Sequence, residues 1–378
     1  MISHELELWI RSTWKECVEL TAAQKLIGGI SSSIYRVDIR NQASGGVKSF
    51  ALRVVLPSDG LNEEQGILAQ EAVVLKQLAA LSEAGLLEAA DQGTDRAVDR
   101  VVDRAADSEA DREADSGVEQ GANNGVDGDS SKAPNKTLEQ VKLNVSFPRC
   151  IAYDASGECA SVPALLMTFL QGKVSLPSEP SYTWLQELAR AISPVHRATA
   201  HRSVVPWNYY RYAANGLDRH PAFQWSKRPE CWTALIEHVS QPEPSYVPCL
   251  IHRDYHPTNV LWDVEQQRIL GIVDWVNGCV GPAGVDVGHC RINLVQLYGL
   301  QAANDFLEAY MLANPTFHYD PYWDICCLID MTCYGPIEVY EGWTMLGFQG
   351  LTAEVIQQRI EQYVEDLVQL LHTNRYKV

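Results

Sequence analysis

The sequence is short of positive charge: 30 lysines and arginines stand against 48 acidic residues, for a formal net charge of −18. Nucleic acid and anionic membrane surfaces are held by basic patches, so neither is an expected partner. The opening stretch, MISHELELWIRSTW, has no basic segment running into an apolar one, which argues against a signal peptide. Nothing approaches the roughly 18 uninterrupted apolar residues of a membrane-spanning helix. The ten cysteines form no C-x-x-C pair and follow no regular spacing, which excludes a disulfide framework or a zinc motif legible in the sequence. Reduced thiols in a soluble, cytoplasmic protein are the expectation. A full G-x-G-x-x-G is also missing.

The composition that remains is that of a globular protein. At 378 residues, with 46% hydrophobic and 9% aromatic, the chain can form two domains or one domain of two lobes. One segment is unlike the rest. Between Asp91 and Lys136 lie 12 acidic and 6 basic residues, and Asp recurs every fourth position from Asp95 to Asp115. Four-residue spacing stacks like charges on one helical face, and the Gly-, Asn- and Ser-rich sequence after it cannot build a core. Residues 91–140 are therefore expected to be an insertion in a loop.

With that insertion set aside, a β-rich part precedes a helical one. Ser33–Ile39 and Phe50–Leu56 read as antiparallel strands around the turn NQASGG, and residues 63–83 read as a helix. Val145–Tyr153, broken by Pro148, and Pro163–Leu170 read as further strands. Helices are expected over 182–197, 299–314, 321–340 and 353–372. The pattern predicts an α+β protein with a sheet lobe over residues 1–170 and a larger helical lobe over 171–378, with a cleft between them.

The densest chemistry is in LIHRDYHPTNVLWD, Leu250 to Asp263. Apolar residues at both ends anchor it, so the polar residues between sit on a rigid loop. A carboxylate there, Asp254, can accept a proton from a hydroxyl, and Asn259 five residues on can offer a carbonyl oxygen to magnesium. A hairpin later, RILGIVDWVNG carries a second acid, Asp274, at the end of the strand-like run Ile269–Val273, a further oxygen ligand for a hard cation. The order H-x-D-x-x-x-x-N, hairpin, Asp is that of a kinase catalytic loop and metal site.

IHRDYHPTNVLWD followed by GIVDWVNGCVGPAGVDVGH resembles the aminoglycoside phosphotransferase family, which also takes in choline and homoserine kinase relatives. The resemblance implies a two-lobed protein-kinase-like fold and transfer of the γ-phosphoryl group of ATP, with GTP as the alternative, to a hydroxyl of a small molecule. It makes Asp254 the catalytic base and Asn259 and Asp274 the Mg2+ ligands, while His252 and Asp286 support the loop. LIGGISSSIYRV resembles the family's nucleotide loop, with Gly28, Gly29, Ser31, Ser32 and Ser33 facing phosphates. Arg53 stands where kinases carry a phosphate-binding lysine, and Glu71 is its helix partner. Arg is bulkier than Lys and not equivalent to it. Met167, Thr168, Phe169 and Leu170 match the hinge that receives adenine. The acidic body favours an amine-bearing acceptor such as an aminoglycoside. A pseudokinase or nucleotide-binding scaffold without turnover is the rival reading.

Other residues carry plainer expectations. His256 is expected to be structural rather than an aid to the base. His289 and Cys290 are adjacent on a helix and so point apart, which argues against a metal site made by that pair. The aromatic run from Trp207 to Trp225 is expected to serve packing.

Overall fold

The computed structural model describes residues 2–14, 17–26, 32–41, 45–55, 65–87, 145–213, 217–335 and 337–373. Gly28, Gly29, Ser31 and the insertion at 91–140 lie outside the described residues.

Helix α1 (His4–Thr13) leads into strands β1 (Cys17–Lys25), β2 (Ser33–Asn41) and β3 (Val47–Val54). Ser3 caps α1 by accepting the Leu6 N–H at 3.2 Å, a contact worth about 1 kcal/mol. Helix α2 (Gln65–Glu83) follows, then β4 (Cys150–Asp154) and β5 (Ala164–Thr168). The strands form one antiparallel sheet in the order β1-β2-β3-β5-β4.

The two-residue period of β3 sorts its side chains between the faces of this sheet. Phe50, Leu52 and Val54 pack with Leu6, Trp9 and Ile10 of α1 in a small core. Arg53 therefore faces the other way, toward α2. There Leu68, Leu75 and Leu78 form the buried stripe of the helix, and Glu71, completely buried, sits within that stripe. A second and larger core takes in this stripe, Leu165 and Met167 of β5, and the apolar residues of the helical part.

The helical part begins with α3 (Tyr182–Ala198), capped by Ser181, and α4 (Pro229–Val239). Strand β6 (Pro248–Ile251) pairs antiparallel with β9 (Cys279–Pro282), and β7 (Val260–Asp263) with β8 (Arg268–Ile272). Then come α5 (Ala283–Tyr298), α6 (Leu300–Ala313), α7 (Pro321–Thr332) and α8 (Ala353–Thr373). Helix α5 is the central one. Adding a Cβ at its Gly284 would place it 2.5 Å from Trp323 Cδ1 of α7, and one at Gly288 would lie 2.9 Å from Asp324 Oδ1, so only glycine allows the two helices this close. Between them lies a buried cluster in which Arg291 pairs with Asp324 and donates to Tyr319 Oη at 2.8 Å and to Asn304 Oδ1 at 2.8 Å.

The α+β architecture is the expected one, with differences in detail. The strand expected over 145–153 forms only from Cys150. Pro148 has no N–H for a ladder, and Ser146 bridges instead to Gly271 beside β8. The helix expected to run to Tyr340 stops at Thr332, and Gly335 beyond it has φ +149°. Among the described residues no helix is long and apolar enough to cross a membrane. Cys249, Cys279, Cys290, Cys326 and Cys327 are buried free thiols.

Candidate active site

Strand register places the site. Antiparallel pairing sets Ile251 beside Cys279 and Pro248 beside Pro282, so α5 starts level with the beginning of β6 and its first turn brings Asp286 back to the loop after Ile251. Asp286 lies one turn into α5 and is fully buried. Its Oδ2 accepts the His252 N–H at 2.7 Å and its Oδ1 accepts the Arg253 N–H at 2.6 Å. His196 of α3 meets the same carboxylate at 2.9 Å through Nε2, with its Nδ1 2.6 Å from Tyr310 Oη. One carboxylate thus ties the loop to two helices. Arg253 is held with φ +68°, a conformation a non-glycine side chain adopts only where its surroundings impose it. Its guanidinium lies against Tyr210 and Tyr212, 4.1 and 4.0 Å from their ring centroids.

His252 spans the site. Its Nε2 lies 2.8 Å from the Val273 carbonyl and its Nδ1 is 3.3 Å from the Asp254 N–H. A carbonyl only accepts and an amide N–H only donates, so these partners place the ring proton on Nε2. The Val273 N–H in turn donates to the Asn259 backbone carbonyl at 2.9 Å, leaving the side-chain carbonyl oxygen out of this bond. The β7–β8 hairpin therefore brings Asn259 and Asp274 to neighbouring positions. Trp275 is fully buried, donates to Ile272 O at 3.2 Å and lies 4.5 Å from the His252 ring, centroid to centroid.

Asp254 is the most accessible of this set, yet half-buried, with 32% of its side chain accessible. Asn259 Nδ2 donates to its backbone carbonyl at 2.8 Å and to its Oδ2 at 3.1 Å, which turns the Asn259 carbonyl oxygen away from the loop. The other carboxylate oxygen, Oδ1, lies 3.0 Å from His289 Nε2 and 3.6 Å from His256 Nε2. Burial acts to raise the Asp254 carboxyl, and His256 and His289 outweigh it, holding the group well below the usual carboxylate range. Burial also pushes the His256 imidazole down to about 4.

Asp274 has φ +67° and closes the other side of the site. Its Oδ1 accepts from Arg53 Nη2 at 2.7 Å. The same guanidinium has Nε 3.0 Å from Glu71 Oε2 and donates from Nη1 to Ser32 Oγ at 3.1 Å. Burial opposes the charge on Arg53, but Asp274 and Glu71 overcome it and raise its pKa. Burial raises the Glu71 carboxyl, against the pull of Arg53.

Most of the residues singled out in the sequence thus converge: Asp254, Asn259, Asp274, His252, Asp286, Arg53, Glu71 and Ser32 form one connected network. Ser33 starts β2 opposite Val54, buried beside them. In the expected hinge, Met167 and Thr168 belong to β5, and the Thr168 N–H is bonded to Arg149 O at 2.9 Å. Phe169 and Leu170 lie past the end of that ladder. Nothing in the sequence assigned a part in this loop to His289, weighed only as a pair with Cys290, or to His196. His289 reaches Asp254, and His196 reaches Asp286, each from a helix remote in sequence from the loop, and the only signal for His289 was its position three residues after Asp286, on the same helical face.

The model of the phosphotransferase enzyme family matches residues 136–322, the segment that holds Asp254, Asn259, Asp274 and Asp286. No curated protein sequence matches the chain. Among solved structures, the chain is similar to a protein of Ralstonia eutropha JMP134 described as a candidate aminoglycoside phosphotransferase. Identity is 14%, 97% of this chain and 96% of that one are covered, and the TM-score is 0.55. At that identity the likeness establishes a shared fold. Aminoglycoside phosphotransferase APH(4)-Ia, solved with ADP and hygromycin B, aligns with 13% identity over 96% of this chain and 97% of that one, at a TM-score of 0.48. The APH(3'')-Id enzyme of Streptomyces rimosus aligns with 12% identity over 89% and 100%, at 0.46.

Proposed function

We propose that the site transfers the γ-phosphoryl group of ATP to a hydroxyl of a small molecule, a reading supported by the match of residues 136–322 to the phosphotransferase enzyme family. The observation that carries this reading is the division of labour on Asp254. Asn259 holds one carboxylate oxygen, the other lies against His289 and His256, and the side chain as a whole remains 32% accessible. Asp254 orients the acceptor hydroxyl and takes its proton as the oxygen attacks phosphorus. His252 and Asp286 hold the loop so that this carboxylate does not reorganise during transfer.

Asn259 and Asp274 are the residues that would hold magnesium. The fit is chemical: a hard cation takes oxygen ligands, and the Asn259 carbonyl oxygen is freed by the hydrogen bonds of its amide nitrogen. Bound magnesium neutralises charge on the β- and γ-phosphates. Arg53, fixed by Glu71, presents a cation beside Asp274 toward the same phosphates, and Ser32 and Ser33 lie next to it. Phe169 and Leu170 offer backbone to the adenine. The acceptor is read as an amine-bearing alcohol of the aminoglycoside type, which the acidic body of the protein suits.

A nucleotide-binding protein without turnover is the second reading. One observation favours it: Asp274 Oδ1 is already paired with Arg53. Magnesium-dependent ATP turnover against a panel of aminoglycosides, macrolides, choline, homoserine and sugars separates the two. Stimulation by one compound, lost in Asp254→Ala, supports the transferase. ATP binding with no stimulation across the panel supports the second reading, and absence of ATP binding defeats both.

A further inference from the structure

His256 and His289 converge on one oxygen of Asp254 from different elements, and the three ligand atoms Asp254 Oδ1, His256 Nε2 and His289 Nε2 all lie within 4.8 Å of one another. Two of the separations, 3.0 Å and 3.6 Å, bracket the spacing of about 3.3 Å that bonds of about 2.0–2.1 Å give around a tetrahedral ion. We propose that Asp254, His256 and His289 form a second cation site, selective for zinc-type transition ions over magnesium, whose occupation takes Asp254 out of phosphoryl transfer.

The donor set separates this site from the magnesium residues. Magnesium takes oxygen ligands in an octahedron, whereas two imidazoles and a carboxylate suit zinc and its neighbours. Three protein ligands leave a fourth position for a water, and Asp254 keeps 32% of its side chain accessible. The supports are those of a held site. His256 is packed by its own turn, with Thr258 Oγ1 3.0 Å from Nδ1 and 3.5 Å from Nε2. Its backbone carbonyl accepts the Asn259 N–H at 3.0 Å. His289 projects from α5, the helix whose Asp286 anchors the loop.

The consequence for turnover rests on the function proposed above. Asn259 occupies Oδ2 of Asp254, so Oδ1 is the oxygen left for an acceptor hydroxyl, and it is also the oxygen that would ligate the ion. Ion and acceptor therefore compete. Zinc inhibits by raising the acceptor KM and leaves the ATP KM unchanged.

Cobalt(II) titration of the full chain, followed by visible absorption and by displacement with zinc, tests the site without any need for turnover. The expected result is intense tetrahedral bands, without the thiolate charge-transfer band that cysteine ligands would add. Affinity should fall by about 100-fold or more in His289→Ala and in His256→Ala, beyond the roughly 10–100-fold typical of losing an outer partner. His289→Gln, closer in shape, serves alongside them, with thermal melting to confirm folding. Absence of the bands in the native protein, or bands that persist in folded histidine variants, would overturn the site. If cobalt binds as expected but zinc inhibits by competing with magnesium-ATP, the inhibitory role is overturned. If the protein has no turnover, the titration still decides the site, and only the proposed function falls.

Discussion

His289 Nε2 lies 3.0 Å from Asp254 Oδ1, across 35 residues of chain and from a different element of structure. The contact exists because β9 feeds α5 directly, so that Asp286 and His289, three residues apart on one face, meet the loop after β6 together. The position of the candidate base is therefore a property of the α5 helix as much as of its own loop.

Asp254→Asn keeps the shape of the side chain and removes its basicity. Turnover should fall by about 10²–10⁴-fold, the usual contribution of a positioned proton acceptor. Nucleotide affinity should change little, because Asp254 is not among the residues assigned to phosphates or magnesium. Steady-state kinetics beside equilibrium ATP binding checks both. A variant that retained turnover would remove Asp254 from the role of base.

Arg53 neutralises two carboxylates, Glu71 and Asp274, where the sheet faces α2. Arg53→Ala leaves the fully buried Glu71 without its counter-ion and should destabilise by about 3–5 kcal/mol. Arg53→Lys should cost less, yet one ammonium cannot copy a planar fork that reaches Glu71, Asp274 and Ser32 at once. Urea midpoints at an unchanged m-value would measure both. Equal stability of Arg53→Ala and the native chain would contradict the ion-pair reading.

Gly284→Ala and Gly288→Ala push a methyl group into α7, against Trp323 and Asp324 respectively. Overpacking of this kind costs about 1–3 kcal/mol. Because α5 also carries Asp286 and His289, the expected signature is a lower melting temperature together with a lower kcat. Loss of stability with kcat unchanged would show that the loop does not follow the helix.

Asp154 accepts the N–H groups of Gly157, Cys159 and Ala160 and the Ser156 hydroxyl, closing the turn between β4 and β5. Burial acts to raise its pKa, but these donors together lower it. A carboxyl depressed in the folded state contributes stability that is present above its unfolded pKa of about 3.9 and is lost as pH falls through the folded value. Asp154→Ala should cost about 1 kcal/mol at neutral pH, since water can reach the freed donors. It should also flatten the stability curve below about pH 4. An acid limb of unchanged slope would show that Asp154 is not one of the groups shaping it.

The hairpin and its flanking polar residues were legible because the information is local. Apolar ends, an interval of four residues between Asp254 and Asn259, and a short turn before Ile269 fix that geometry within one stretch of chain. Arg53 and Glu71 were legible only through resemblance, because a charged residue in a strand or helix gives no sign of its burial. Helix α5 was harder to see. It is buried on nearly every face, so its sequence lacks the apolar stripe that marks a surface helix. His289 went unassigned for that reason, and His196, set against Asp286 through the fold, left no trace in the spacing.

The larger core ignores the line between sheet and helices. Leu68, Leu75 and Leu78 of α2 and Leu165 and Met167 of β5 share it with Trp184, Trp262, Ile272 and Trp275. Neither half is autonomous in such an arrangement, because each supplies apolar surface that the other must cover. The described part of the chain is therefore built to melt in one cooperative step, and the residues that meet at Asp254 and Asp274 are assembled or lost together.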